Sequence, residues 1–160
     1  MNKEAARWIA RLRMKKHSEG GYFRETYRGA TLLDFPGHKG KRTAYAAIYY
    51  LVAGDQISSF HRIKSDEIWH FYAGGSLALY TIKEGKMSKM VLGNARRQTS
   101  QSLVESGCWM AGSVNVGDFC LVGCTVSPGF DIRDWELGTR SQLASQYPDC
   151  KRITEKHTTV

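Results

Sequence analysis

The sequence predicts an all-β fold, an antiparallel barrel or sandwich flanked by short helices. Three observations carry this. From Gly20 to Phe130 the chain reads as short runs rich in β-branched and aromatic residues. Several of these runs alternate apolar and polar positions, the period of a strand. Turn signals separate most of them, among them Gly54-Asp55, Gly74-Gly75, Glu84-Gly85, Gly117-Asp118 and Pro128-Gly129.

Taken in order, residues 3–14 read as a helix, with Ala5, Trp8, Ile9 and Leu12 on one face at helical spacing. "YFRETYR" alternates, whereas "TAYAAIYYLVA" is too apolar for a half-exposed strand. "ISSFHRI", "EIWHFYA", "SLALYTI", "KMVLG", "SLVES", "CWMAGSV" and "DFCLVGCTV" continue the strand series. A helix is predicted around residues 139–147, ended by Pro148, and the tail "KRITEKHTTV" is expected to be loose. Neither a linker nor an internal repeat interrupts the chain. One domain over residues 1–160 is expected, its barrel core at about 20–130.

At 160 residues the chain can bury a core without disulfides or metals. Its four cysteines, Cys108, Cys120, Cys124 and Cys150, form no CxxC pair and read as reduced, structural thiols. No apolar run approaches the ~20 residues of a membrane-spanning helix. The N-terminal "MNKEAARWIARLRMKK" lacks the apolar centre of a secretory signal. A cytoplasmic protein without a membrane partner is expected. The net charge of +8 is scattered rather than gathered on one element, which argues against nucleic acid and for small anionic or polar ligands.

"SSFHRIKSDEIWHFYAGG", residues 58–75, is the stretch best equipped for chemistry. Alternation puts Ser59, His61 and Ile63 on one face of a strand. It puts Glu67, Trp69 and Phe71 on one face of the next, with His70 and Tyr72 on the other. His61 and Glu67 can therefore share a pocket, while His70 needs a bulge to join them. An imidazole, with an ordinary pKa near ~6.5, suits proton transfer at neutral pH. A carboxylate among aromatic rings needs a partner, His61 or an arginine, and Glu67 is a candidate pocket group. Ser59, Phe60, Trp69, Phe71 and Tyr72 are candidate ligand contacts, and Arg24 is a candidate grip on an anionic group. No nucleophile elbow, phosphate loop or dinucleotide fingerprint is present.

The spacing of Gly54, His61-Arg62-Ile63, Glu67 and Gly74 resembles the first motif of the cupin superfamily, with the opening glycine one residue early. "ESGCWM" is the nearest match to the second motif. "EGGYFRETYR", "FHRIKSDEIWHFYAGG", "LVGCTVSPGF" and "DWEL" further resemble one cupin family of largely uncharacterised small proteins, over about residues 8–148. The resemblance implies a double-stranded β-helix (jelly-roll) barrel and usually a homodimer. Its structural relatives include the dTDP-4-keto-6-deoxyhexose 3,5-epimerases, auxin-binding protein and seed storage proteins. A metal-dependent cupin would place ligands at His61, Ile63, Glu67 and Met110. Isoleucine has no donor atom and a thioether is a soft ligand, so the resemblance implies a pocket without a metal cofactor.

Three functions compete. The first is a metal-independent epimerase or isomerase acting on a polar or anionic keto-sugar-like molecule, with His61 as base and Glu67 orienting it. As in the related epimerases, a tyrosine acid is implied, and Tyr45, Tyr49, Tyr50 and Tyr72 are candidates. The second is a binding module without turnover. The third is a metal-dependent oxygenase or isomerase holding a divalent metal on His61, Glu67 and His70.

Overall fold

The structure, a computed structural model, describes residues 2–159. Helix α1 (Lys3–Arg11) starts where Asn2 caps it, its side-chain oxygen accepting the N–H groups of Glu4 and Ala5. Its apolar face is the one the sequence pattern marks. Ala5 is fully buried, and Trp8, Ile9 and Leu12 pack over Leu51, Ala53, Phe119 and Leu121 on the outer face of the sheet.

The sheet contains β1 (Lys15–Lys16), β2 (Tyr22–Arg28), β5 (Ala46–Ala53), β6 (Ile57–Ile63), β7 (Asp66–Lys83), β8 (Lys86–Leu92), β9 (Gln101–Val104), β10 (Trp109–Ser127) and β11 (Trp135–Leu137). Strands β3 (Leu32–Leu33) and β4 (Arg42–Thr43) form a separate small hairpin. The long strands β7 and β10 run antiparallel along their whole length, from Trp109 opposite Ile82 to Ser127 opposite Asp66. The first half of β10 also pairs with β6, and its second half with β5, which in turn carries β2. The sheet curls on itself as an antiparallel half-barrel, the all-β architecture expected.

Two expected turns are not turns. Gly74-Gly75 and Gly117-Asp118 lie inside β7 and β10, facing each other where the paired strands bend. Gly74 and Gly117 have φ of +92° and +88°, and a Cβ on Gly75 would sit 1.8 Å from the Val116 carbonyl oxygen. The glycines allow the backbones to cross closely at a sheet corner, so they mark a bend rather than a chain reversal.

Tyr50, Val52, Trp69, Leu77, Cys120 and Val122 fill the inside of the curl. A separate cluster of Phe60, Trp109 and Leu143 lies under the C-terminal helices α2 (Arg140–Gln146) and α3 (Lys151–Lys156). Thr139 caps α2 through its hydroxyl. The tail is docked rather than loose. His157 is fully buried, its carbonyl accepting from the Phe60 N–H at 2.8 Å and its Nε2 lying 3.0 Å from Ser113 Oγ. The tail attaches through polar groups satisfied in place, which an apolar pattern does not reveal. All four cysteines are free and buried, as expected.

Candidate functional site

Strands β6 and β7 are joined through Lys64 and Ser65 and each pairs with β10, Met110 opposite His61 and Val126 opposite Glu67, which leaves His61 and Glu67 both facing into the curl. They line a cavity of about 210 Å³ together with His17, Glu19, Phe23 and Cys124. Below it a chamber of about 20 Å³ is bounded by the same histidines and carboxyls and by Tyr50 and Trp69.

Glu19 is the group the sequence reading missed. It enters from the turn between β1 and β2, closed by hydrogen bonds from the His17 N–H to the Gly21 carbonyl and from the Gly20 N–H to the His17 carbonyl. Gly20 has φ of +103°, and a Cβ there would come 2.1 Å from the Ile57 carbonyl oxygen. Only glycine lets the turn pass so close to β6. The Glu19 carbonyl accepts the Ser59 N–H at 2.8 Å, and one carboxyl oxygen accepts the Trp135 indole N–H at 2.6 Å. Its other oxygen lies 3.4 Å from His61 Nδ1 and 3.5 Å from His17 Nδ1. The available signal was the acidic residue placed directly before a glycine pair in "HSEGGYF".

His61 Nδ1 is 2.8 Å from the Ser59 carbonyl oxygen. A carbonyl only accepts, so Nδ1 carries the proton and Nε2 holds the lone pair. Glu19 and Ser59, not Glu67, orient the ring: among the described residues Glu67 makes no ion pair with His61. Burial pushes the His61 pKa below its ordinary value, opposed by the charge of Glu67 and by the bond to Ser59. His17 is likewise lowered by burial. Both carboxyls move the other way. Burial raises Glu67 to about 7, opposed by His61, reinforced by Glu19 and opposed by the Cys124 thiol that donates to it. Burial raises Glu19 to about 7, opposed by His17 and the Trp135 N–H.

The remaining candidates divide. Trp69 lines the chamber. Phe71 packs against the barrel core without lining the cavity. Phe60 lies in the cluster under the C-terminal helices, because neighbouring strand residues alternate faces. The Ser59 hydroxyl faces Thr159 Oγ1 at 3.4 Å, and only its carbonyl serves the site. Tyr72 is half exposed on the outer face, edge-on to Tyr49. His70 is on that outer face too, between Gln101 and Thr125. Arg24 is also turned outward; its guanidinium donates to the Leu12 carbonyl at 3.0 Å and borders a separate groove with Arg13 and Lys15. Among the described residues no lysine or arginine lines the main cavity. Of the tyrosines only Tyr50 reaches the chamber, and its hydroxyl already donates to the Gly20 carbonyl at 2.7 Å.

A curled antiparallel sheet holding this cavity, with His61 and Glu67 on successive strands, matches the family described as "Cupin superfamily (DUF985)" over residues 6–138. The chain belongs to the cupin superfamily. No curated protein matches it. This cupin is 37% identical to a protein of Shewanella oneidensis of known structure, covering 99% of this chain and 98% of that one, with a TM-score of 0.88. A hypothetical protein from Leishmania major is 32% identical, with 96% and 98% covered and a TM-score of 0.91. A dTDP sugar isomerase from Desulfovibrio desulfuricans is 11% identical, with 80% and 86% covered and a TM-score of 0.57; that likeness is one of fold.

The metal positions of this superfamily do not fit a metal here. Ile63 lines the cavity with a hydrocarbon side chain, and Met110, opposite His61 in the ladder, is buried in the core. His70 faces outward, so it adds no third ligand to His61 and Glu67. Among the described residues no group of three or more His, Cys, Asp or Glu side chains is arranged to hold a metal ion.

Proposed function

We propose that this cupin is a metal-independent isomerase or epimerase that moves a proton at the carbon next to a carbonyl in a small, neutral, polar molecule. One observation carries the reading. A neutral imidazole with a free Nε2 stands in a largely apolar cavity with two carboxyls raised to about 7. A base that is unprotonated and an acid that is half protonated at the same pH make up the set that proton transfer requires.

His61 Nε2 takes the proton from carbon. The Glu19 carboxyl and the Ser59 carbonyl hold the ring and favour the imidazolium that forms. Glu67, supplied with a thiol hydrogen bond from Cys124, returns a proton, which replaces the tyrosine acid the resemblance implied. Phe23, Ile48, Ile63 and Val126 keep the transfer away from bulk water. With Arg24 outside and, among the described residues, no lysine or arginine in the lining, the ligand favoured is neutral rather than anionic.

Deuterium wash-in from D₂O tests this, followed by proton NMR on dihydroxyacetone, neutral ketoses and their phosphates. Exchange at the carbon beside the carbonyl, faster for neutral compounds than for phosphates, is the expected result. Wild-type protein that exchanges none of them while still binding one would favour the binding-module reading.

A further inference from the structure

We propose that the chamber beneath the main cavity is an oxygen subsite, in which the Trp69 indole N–H donates to the carbonyl oxygen of a bound substrate. Trp69 is 2% exposed, and its Nε1 is buried with no hydrogen-bond partner among the described residues. A buried N–H without an acceptor is costly, and such groups are rare enough to need an explanation. The indole is fixed in place, edge-to-face on Tyr50 at 5.9 Å and 88°. Three other donors around the chamber are already engaged. Tyr50 donates to the Gly20 carbonyl, the Cys124 thiol to Glu67, and His61 Nδ1 to Ser59. The Trp69 N–H is a buried donor held beside the chamber without an acceptor.

Size selects the group. The chamber holds about 20 Å³, and a single water needs roughly 10–15 Å³ on the same kind of measure. One oxygen fits and a phosphoryl or carboxylate group does not. The rest of the molecule then lies in the cavity of about 210 Å³ above, which no lysine or arginine lines among the described residues. The substrate class is a compact neutral carbonyl compound, inserted carbonyl first.

The inference rests on the proton-transfer reading of the same site. When His61 Nε2 takes the proton, the C–H electron pair becomes the new C=C bond and the carbonyl π pair moves onto oxygen. The Trp69 N–H meets that charge with a fixed dipole in a dry setting, where it is worth most. Reprotonation of carbon reverses both shifts, so no oxidant, reductant or co-reactant is consumed.

The test uses the full chain labelled with ¹⁵N and titrated with dihydroxyacetone. The Trp69 indole N–H resonance, assigned through its contacts to Tyr50, is expected to move downfield and saturate. In wash-in assays Trp69→Phe, which keeps the ring and removes the donor, is expected to lower kcat by ~10²–10³ with a far smaller change in KM. A Trp69 resonance unmoved at every dihydroxyacetone concentration reached, or Trp69→Phe turning over like wild type, would overturn the subsite. If wild-type protein shows no wash-in with any carbonyl compound, proton transfer fails as a reading. The indole resonance, measured without any variant or turnover, then decides the subsite alone.

Discussion

Glu67→Gln is expected to make the protein more stable at alkaline pH while stopping turnover. Glu67 rises from 4.5 to about 7 on folding, so the native state prefers its protonated form. The sign follows: this preference is fully present below pH 4.5 and is lost as pH rises through 7. At pH 8 the ionised, buried carboxylate costs about 3 kcal/mol relative to the unfolded chain, and at pH 5 less than about 1 kcal/mol. Glutamine has no charge to bury and keeps an acceptor for the Cys124 thiol. In a chain of this length about 3 kcal/mol is roughly 6–12 °C in melting temperature. Calorimetry at pH 5 and pH 8 measures both ends. A melting temperature raised by several degrees at pH 8 and nearly unchanged at pH 5 is expected. A variant less stable at both pH values would mean that Glu67 is ionised and well paired in the native state, and the acid role would fall with it.

His61→Ala should reduce wash-in by ~10²–10⁴, the usual worth of a positioned base, with a smaller loss in ligand affinity; equal losses in both would make His61 a binding group only. Leu143→Ala, at a fully buried position under the C-terminal helices, should cost about 2–5 kcal/mol in denaturant unfolding, whereas a loose C-terminus would lose almost nothing. Light scattering at micromolar concentration should give the mass of a homodimer. The edge of β2 beyond Tyr22 and Phe23, which β1 pairs, and the exposed, stacked Tyr27 and Tyr45 beside it supply the surface, and Tyr45→Asp should shift the mass toward the monomer.

The strands were legible because alternation and turn residues are local. "YFRETYR" is β2 residue for residue, and the N-terminal apolar stripe is the buried side of α1. What was not legible depends on partners distant in sequence. The paired glycines of β7 and β10 read as turns until each is seen to face the other. At the site, alternation alone places His61, Glu67 and Trp69 inward and His70 outward. It cannot show that Glu19, forty-two positions before His61, is brought to the same ring by the Gly20 turn. Alternation also sets Arg24 on the face opposite Phe23 and Glu25, but not which of those two faces lines the cavity.

Metal-independent proton transfer is tested most directly by assaying wash-in before and after exhaustive chelation, with metal content measured on the same samples. The same rate is expected in both, at metal levels far below one per chain. A rate that falls on chelation and returns in proportion to added iron, manganese or zinc would contradict it.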